Sequence, residues 1–170
     1  MLDHLQAVGF SKAPRSLGID QQGREVVSYL PGVVPVYPRH AWNHRSERAL
    51  DATARLIREY HDAAQTFALP ENARWRGIVG APAGSEVICH NDLGPFNMVF
   101  GRGQPVGIID WDNAAPGLRI WDVACALWRF TPLWGRDAWW GGDWTGNGWT
   151  LPPAGKAKRM ELFAESYGVE

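Results

Sequence analysis

The sequence predicts an α+β fold, on three observations. Short apolar, β-prone runs at 87–89, 98–100 and 106–109 crowd into one stretch, and three longer segments, 46–67, 119–130 and 154–167, repeat apolar residues at helical intervals. The third is size: 170 residues suffice for one ordinary domain with a sizeable core. The formal net charge of −1 gives no basic footprint for a nucleic-acid polymer or an anionic membrane surface. No run approaches the roughly 20 apolar residues of a membrane span, and the N-terminus lacks a signal-peptide pattern. A cytoplasmic protein is therefore expected. Cys89 and Cys125 both lie in apolar runs and read as buried free thiols of a reducing compartment.

Taken in order, residues 2–10 read as the last turns of a helix, with Leu2, Leu5 and Val8 three apart and Gly9 to end it. A hairpin follows, with strands at 14–19 and 25–30 and a turn at 20–23. A Pro-rich connection at 31–38 leads into the clearest helix. From the N-cap candidate Ser46, the residues Leu50, Ala54, Ile57, Tyr60, Ala64 and Phe67 recur at three or four positions. His61 falls on this helix and reads as a hydrogen-bonded structural histidine. Residues 70–82 form a loop with Trp75 as a packing residue.

The stretch 86–112 follows, EVICHNDLGPFNMVFGRGQPVGIIDWD. Its first two apolar runs flank the polar loop 90–97, and a Gly/Pro-punctuated turn at 101–105 leads to the third run, which delivers Asp110-Trp111-Asp112. Polar side chains at strand ends thereby converge on one side. Another loop, 113–117, precedes a helix over 119–130 whose apolar stripe is Trp121, Ala124, Cys125 and Trp128. Residues 131–150 carry no period, but six tryptophans, Trp128, Trp134, Trp139, Trp140, Trp144 and Trp149, fall within 22 positions. They read either as packing of a Gly-rich lid or as an aromatic cage for a quaternary ammonium; Asp137 and Asp143 would instead attract a polycation. The last helix, 154–167, turns Met160, Phe163, Ala164 and Tyr167 one way.

The chemistry sits in the loop. His90-Asn91-Asp92, four intervening residues and Asn97 reproduce the spacing of a kinase catalytic loop, H-R-D-x-x-x-x-N, with Asn91 in place of Arg, and Ile109-Asp110-Trp111 stands where D-F-G would. With these two elements in order, the chain resembles the aminoglycoside phosphotransferase and choline kinase family, protein-kinase-like enzymes that phosphorylate small molecules. The resemblance implies ATP and Mg²⁺ as cofactors and a small-molecule hydroxyl acceptor, aminoglycoside-, choline- or sugar-like. It makes Asp92 the base and His90 the residue that braces its loop, with Asn97 and Asp110 as metal ligands. These types suit the task, since a carboxylate can take a hydroxyl proton and Mg²⁺ prefers a few hard oxygen ligands. Asp122 would accept hydrogen bonds from the catalytic-loop backbone, and Asp112 would support Asp110 or face the substrate. A hinge at Ser28, Tyr29 and Leu30 would offer backbone groups to an adenine edge, although the same residues read as a plain hairpin closed by Pro31-Gly32.

In this reading residues 1–30 are a remnant of the N-terminal lobe with the hinge strand, and residues 31–170 are a mainly helical C-terminal lobe with its catalytic loop at 86–112. The departure from the family is upstream. No Gly-rich phosphate loop and no strand-borne lysine precede Asp92; the lysines are Lys12, Lys156 and Lys158. The chain is then a fragment of a longer kinase, a catalytically impaired kinase-like binding module, or one half of a pair that complete each other. An unpaired sheet edge at the first hairpin favours a homodimer. A metal-dependent hydrolase using His90, Asp92 and Asp110 is a further reading, short of the additional His or Glu ligands such sites show.

Overall fold

The computed structural model describes residues 1–35, 45–75, 81–133 and 150–169. The Trp-rich segment apart from Trp128, together with Asp137 and Asp143, lies outside the described residues. Helix α1 (Leu2–Ala7) ends at Gly9, whose φ of +85° is the left-handed conformation that glycine adopts without strain. Leu2 and Leu5 are buried, whereas Val8 is exposed, because it lies beyond the helix and off its apolar face.

The hairpin β1 (Ser16–Ile19) and β2 (Glu25–Val27) is shorter than the sequence implied. Its turn is closed by Asp20, whose Oδ1 accepts from the backbone N–H of Gln22 and Arg24, while Oδ2 accepts from Arg24 Nε at 2.7 Å. Beyond it Val33 bridges Phe100 with bonds of 2.8 and 2.9 Å, and Ile108 N–H donates to the Lys12 carbonyl at 2.8 Å. These links lay the N-terminal segment along the central stretch. Gly32 is required at the crossing. At φ +149° it sits so close that a Cβ would stand 2.5 Å from Val99 Cγ1 and 2.7 Å from the Phe100 oxygen. Gly32→Ala is expected to destabilise the fold by about 1–3 kcal/mol, measured as a lowered urea midpoint.

Helix α2 (Glu47–Ala64) begins at Ser46, whose Oγ accepts from Ala49 N–H at 3.1 Å. Leu50, Ala54, Ile57, Tyr60 and Ala64 are buried as the period required, and Phe67 lies past the helix end, packing edge-on to the His4 ring. α2 is the axis of the core, packed against the last helix, α4 (Pro153–Tyr167), and against strands on its other side.

Strands β3 (Val87–Cys89), β4 (Met98–Gly101) and β5 (Gln104–Ile108) form where the apolar runs are, and β4 and β5 pair antiparallel through Arg102 and Gly103. Both turn residues have positive φ, 51° and 76°, which matches the right-handed twist of a two-residue hairpin. The expected loop at 113–117 is partly a strand, β6 (Ala115–Gly117), pairing antiparallel with β3. Ala-Pro-Gly has no intrinsic strand preference, so only this pairing defines it.

Two helix faces differ from expectation. α3 (Arg119–Phe130) buries Asp122, Val123, Ala126 and Phe130, while Ala124 and Trp128 are exposed and Trp121 and Cys125 half-buried. The buried acid, not the tryptophans, sets the inward face. Cys89 is buried and Cys125 only half so. In α4 Met160 is exposed and Arg159 is buried instead, donating to the Arg45 carbonyl at 2.7 Å and the Phe130 carbonyl at 2.9 Å. No helix of the described residues is long and apolar enough to cross a membrane.

Candidate active site

The site starts from the strained turn after β3. His90 is fully buried, and its ring bridges the two motifs: Nε2 donates to the Ile109 carbonyl at 3.0 Å and Nδ1 accepts from Asp92 N–H at 3.3 Å. Burial pushes its pKa below the ordinary histidine range, which keeps the ring in the neutral form that can donate and accept at once. The Trp111 ring stacks edge-on against it, with centroids 4.9 Å apart, and also meets Tyr60. Tyr60 in turn donates its hydroxyl to the Ile88 carbonyl at the end of β3.

Asp122, fully buried, accepts from His90 N–H at 2.6 Å and from Asn91 N–H at 2.7 Å, so one carboxylate holds two successive backbone donors. Its Oδ2 also meets His61 Nε2 at 3.1 Å, and His61 Nδ1 meets the Tyr167 hydroxyl at 2.7 Å. A buried chain Tyr167–His61–Asp122 thus runs from α4 through α2 to the loop. Asn91 itself adopts φ +67° and is fixed by its side chain, which donates to the Asn113 carbonyl at 2.8 Å.

After this turn the 3-10 turn Pro95–Asn97 folds the loop back, so that Asn97 Nδ2 donates to the Asp92 carbonyl at 2.9 Å and to Asp92 Oδ2 at 3.1 Å. Asp92 Oδ1 receives Arg129 Nη2 at 3.0 Å, and the Arg129 guanidinium lies 4.9 Å over the Phe96 ring. Arg129 was not singled out from the sequence. Its spacing of seven from Asp122 was the available signal, since two helical turns return to the same face. Across the hairpin Ile109 N–H donates to the Asn97 carbonyl at 3.0 Å, which puts Asp110 one residue past the position opposite Asn97. Asp110 is exposed and has φ +64°, an uncommon conformation for a non-glycine residue that clusters at functional turns.

Asp110, Asp112 and Trp111 line a cavity of about 720 Å³ together with Ser28, Tyr29 and Leu30. That is the size of a small-ligand cleft. Asp92 and Asn97 stand outside its lining, tied to it through Ile109. Ser28 N–H donates to the Arg15 carbonyl at 2.9 Å, which leaves its own carbonyl, beside Tyr29 and Leu30, facing no donor among the described residues. Among the described residues no three His, Cys, Asp or Glu side chains gather as a metal site. Asn97 turns its amide nitrogen to Asp92 and so keeps its oxygen for another partner, and magnesium needs only one or two protein oxygens. His61, by contrast, is structural in its surroundings, and Asp62 next to it is exposed, paired with Arg58 and Arg119.

Compared with known proteins, residues 69–160 match the phosphotransferase enzyme family. A trifolitoxin immunity protein of Rhizobium leguminosarum bv. trifolii is 39% identical over 173 residues, covering 99% of this chain and 62% of that protein. An uncharacterized protein of Deinococcus radiodurans is 34% identical over 87 residues, covering 51% of this chain and 25% of its own length. The chain therefore spans less than two thirds of the length of either relative. Among solved structures, aminoglycoside phosphotransferase APH(3'')-Id from Streptomyces rimosus, in complex with ADP and streptomycin, superposes with a TM-score of 0.60 at 16% identity, covering 99% of this chain and 73% of that one. That likeness is one of fold, and it gives the α+β architecture its type: protein-kinase-like, with only part of the N-terminal lobe.

Proposed function

Since the chain belongs to the phosphotransferase enzyme family, we infer that it moves the γ-phosphoryl group of ATP to a hydroxyl of a small molecule. The observation that carries this is the stitching of the two motifs, His90 to Ile109 and Ile109 to Asn97, beside a cavity lined by Asp110 and the hinge. Asp92 takes the acceptor hydroxyl's proton as the acceptor oxygen bonds to the γ-phosphorus and the bond to the β,γ-bridging oxygen breaks to release ADP. Asn97 and Arg129 fix the carboxylate, and Asp122 keeps the loop in shape. Asn97 and Asp110 would hold Mg²⁺, which neutralises phosphate charge when bound. Tyr29 and Leu30 offer backbone groups to the base. Residues 1–30 serve as the remnant smaller lobe and 31–170 as the larger. Titration calorimetry tests the reading. Mg·ATP should bind the wild type and bind Asp110→Ala at least about tenfold more weakly; equal heats from both proteins would count heavily against it.

A second reading, a kinase-like binding module, draws on the relative's name. Immunity to a toxin is achievable by capture as well as by modification, and the likeness to that immunity protein runs over 99% of this chain. Cells expressing Asp92→Asn would stay protected if capture suffices and lose protection if transfer is needed. Self-association belongs to either reading: Leu17, Ile19, Val26 and Val27 are exposed on the first hairpin. Sedimentation at micromolar concentration should find a dimer, and a monomer would remove that part.

A further inference from the structure

We propose that Arg74 is a phosphate-binding cation of the cleft; this rests on the reading of the cavity as a nucleotide site. The cavity wall holds three carboxylates, Glu25, Asp110 and Asp112. A nucleotide polyphosphate entering among them meets like charge, so a cation beyond a single divalent ion is needed to hold it. All three lysines are engaged elsewhere. Lys12 pairs with Glu59 at 2.5 Å, Lys158 with Glu47 at 2.9 Å, and Lys156 donates to the Leu133 carbonyl at 3.1 Å. None of them lines the cavity.

Arg74 does line it, as the one basic side chain among the described lining residues. It is exposed and makes no ion pair or hydrogen bond among the described residues, so its five donors are available. A guanidinium matches phosphate oxygens as a fork and stays charged at any working pH, which suits it to a triphosphate better than a surface role. Its neighbour Trp75 lines the same cavity and supplies an apolar surface next to it.

The test compares ATP with adenosine, with Mg²⁺ present, on wild type, Arg74→Ala, Arg74→Lys and the control Arg102→Ala, which changes an exposed turn away from the cavity. ATP binding should weaken about tenfold or more in Arg74→Ala, recover in part in Arg74→Lys and stay unchanged in Arg102→Ala. Adenosine, having no phosphate, should bind all four alike. ATP binding by Arg74→Ala equal to wild type overturns the role of Arg74 while leaving the nucleotide site standing. Equal weakening of adenosine and ATP overturns it too, as a general distortion. A wild type that binds neither ligand removes the nucleotide reading itself, and this inference with it.

Discussion

Asp92→Asn is expected to lower phosphoryl transfer by roughly 10²–10⁴-fold, the usual contribution of a positioned base, while leaving nucleotide binding intact. The carboxylate lies outside the cavity lining, so its loss does not touch the cleft directly. Its oxygens are divided between two donors, Oδ1 to Arg129 at 3.0 Å and Oδ2 to Asn97 at 3.1 Å. An asparagine has the same shape but one acceptor oxygen, so one of those donors would face an NH₂ group. Loss of the base and loosening of its aim both act on turnover, not on the affinity of the cleft. ADP release measured with an acceptor panel, alongside ATP binding by calorimetry, separates the two quantities. A variant that turns over within about threefold of wild type would remove Asp92 from the mechanism.

The central stretch was readable because its chemistry is written locally. His90 to Asn97 and Ile109 to Asp112 carry their spacing in the chain, and glycine and proline punctuate the turns between the strands. The N-cap Ser46 and the α2 period were equally local. What escaped depends on contacts between distant segments. β6 is a strand only because β3 is opposite it, with Ile88 across from Pro116. The inward face of α3 is chosen by Asp122, whose three partners come from the loop after β3 and from α2, so counting tryptophans selected the wrong side. Arg159 displaces Met160 from the core because it donates to carbonyls of residues 45 and 130, which no periodicity in α4 announces. The cavity likewise joins residues 25–34, 74–75 and 109–114, and the Val33–Phe100 and Ile108–Lys12 bonds, with Leu30 packed against Gly107, help bring the first and last of these together.

Asp122→Ala should be the most damaging change to the fold itself. The side chain is fully buried and receives three donors, the backbone N–H groups of His90 and Asn91 and the ring of His61. Alanine would take the carboxylate acceptor from all three, a loss of about 3–5 kcal/mol. In a chain of this length that lowers the melting temperature by roughly 10 °C or more. Tyr167→Phe, which removes the far hydrogen bond of the same chain to His61 together with the hydroxyl's contact with Arg119, should cost about 1–2 kcal/mol and leave the loop in place. The two variants therefore distinguish anchoring of the loop from general packing. Hydrogen exchange adds a local reading, since the amides of His90 and Asn91 should lose protection in Asp122→Ala and keep it in Tyr167→Phe. If both amides remained protected without the carboxylate, the loop would owe its shape to the Asn97, Ile109 and Asn113 bonds alone, and the anchoring role of Asp122 would fall.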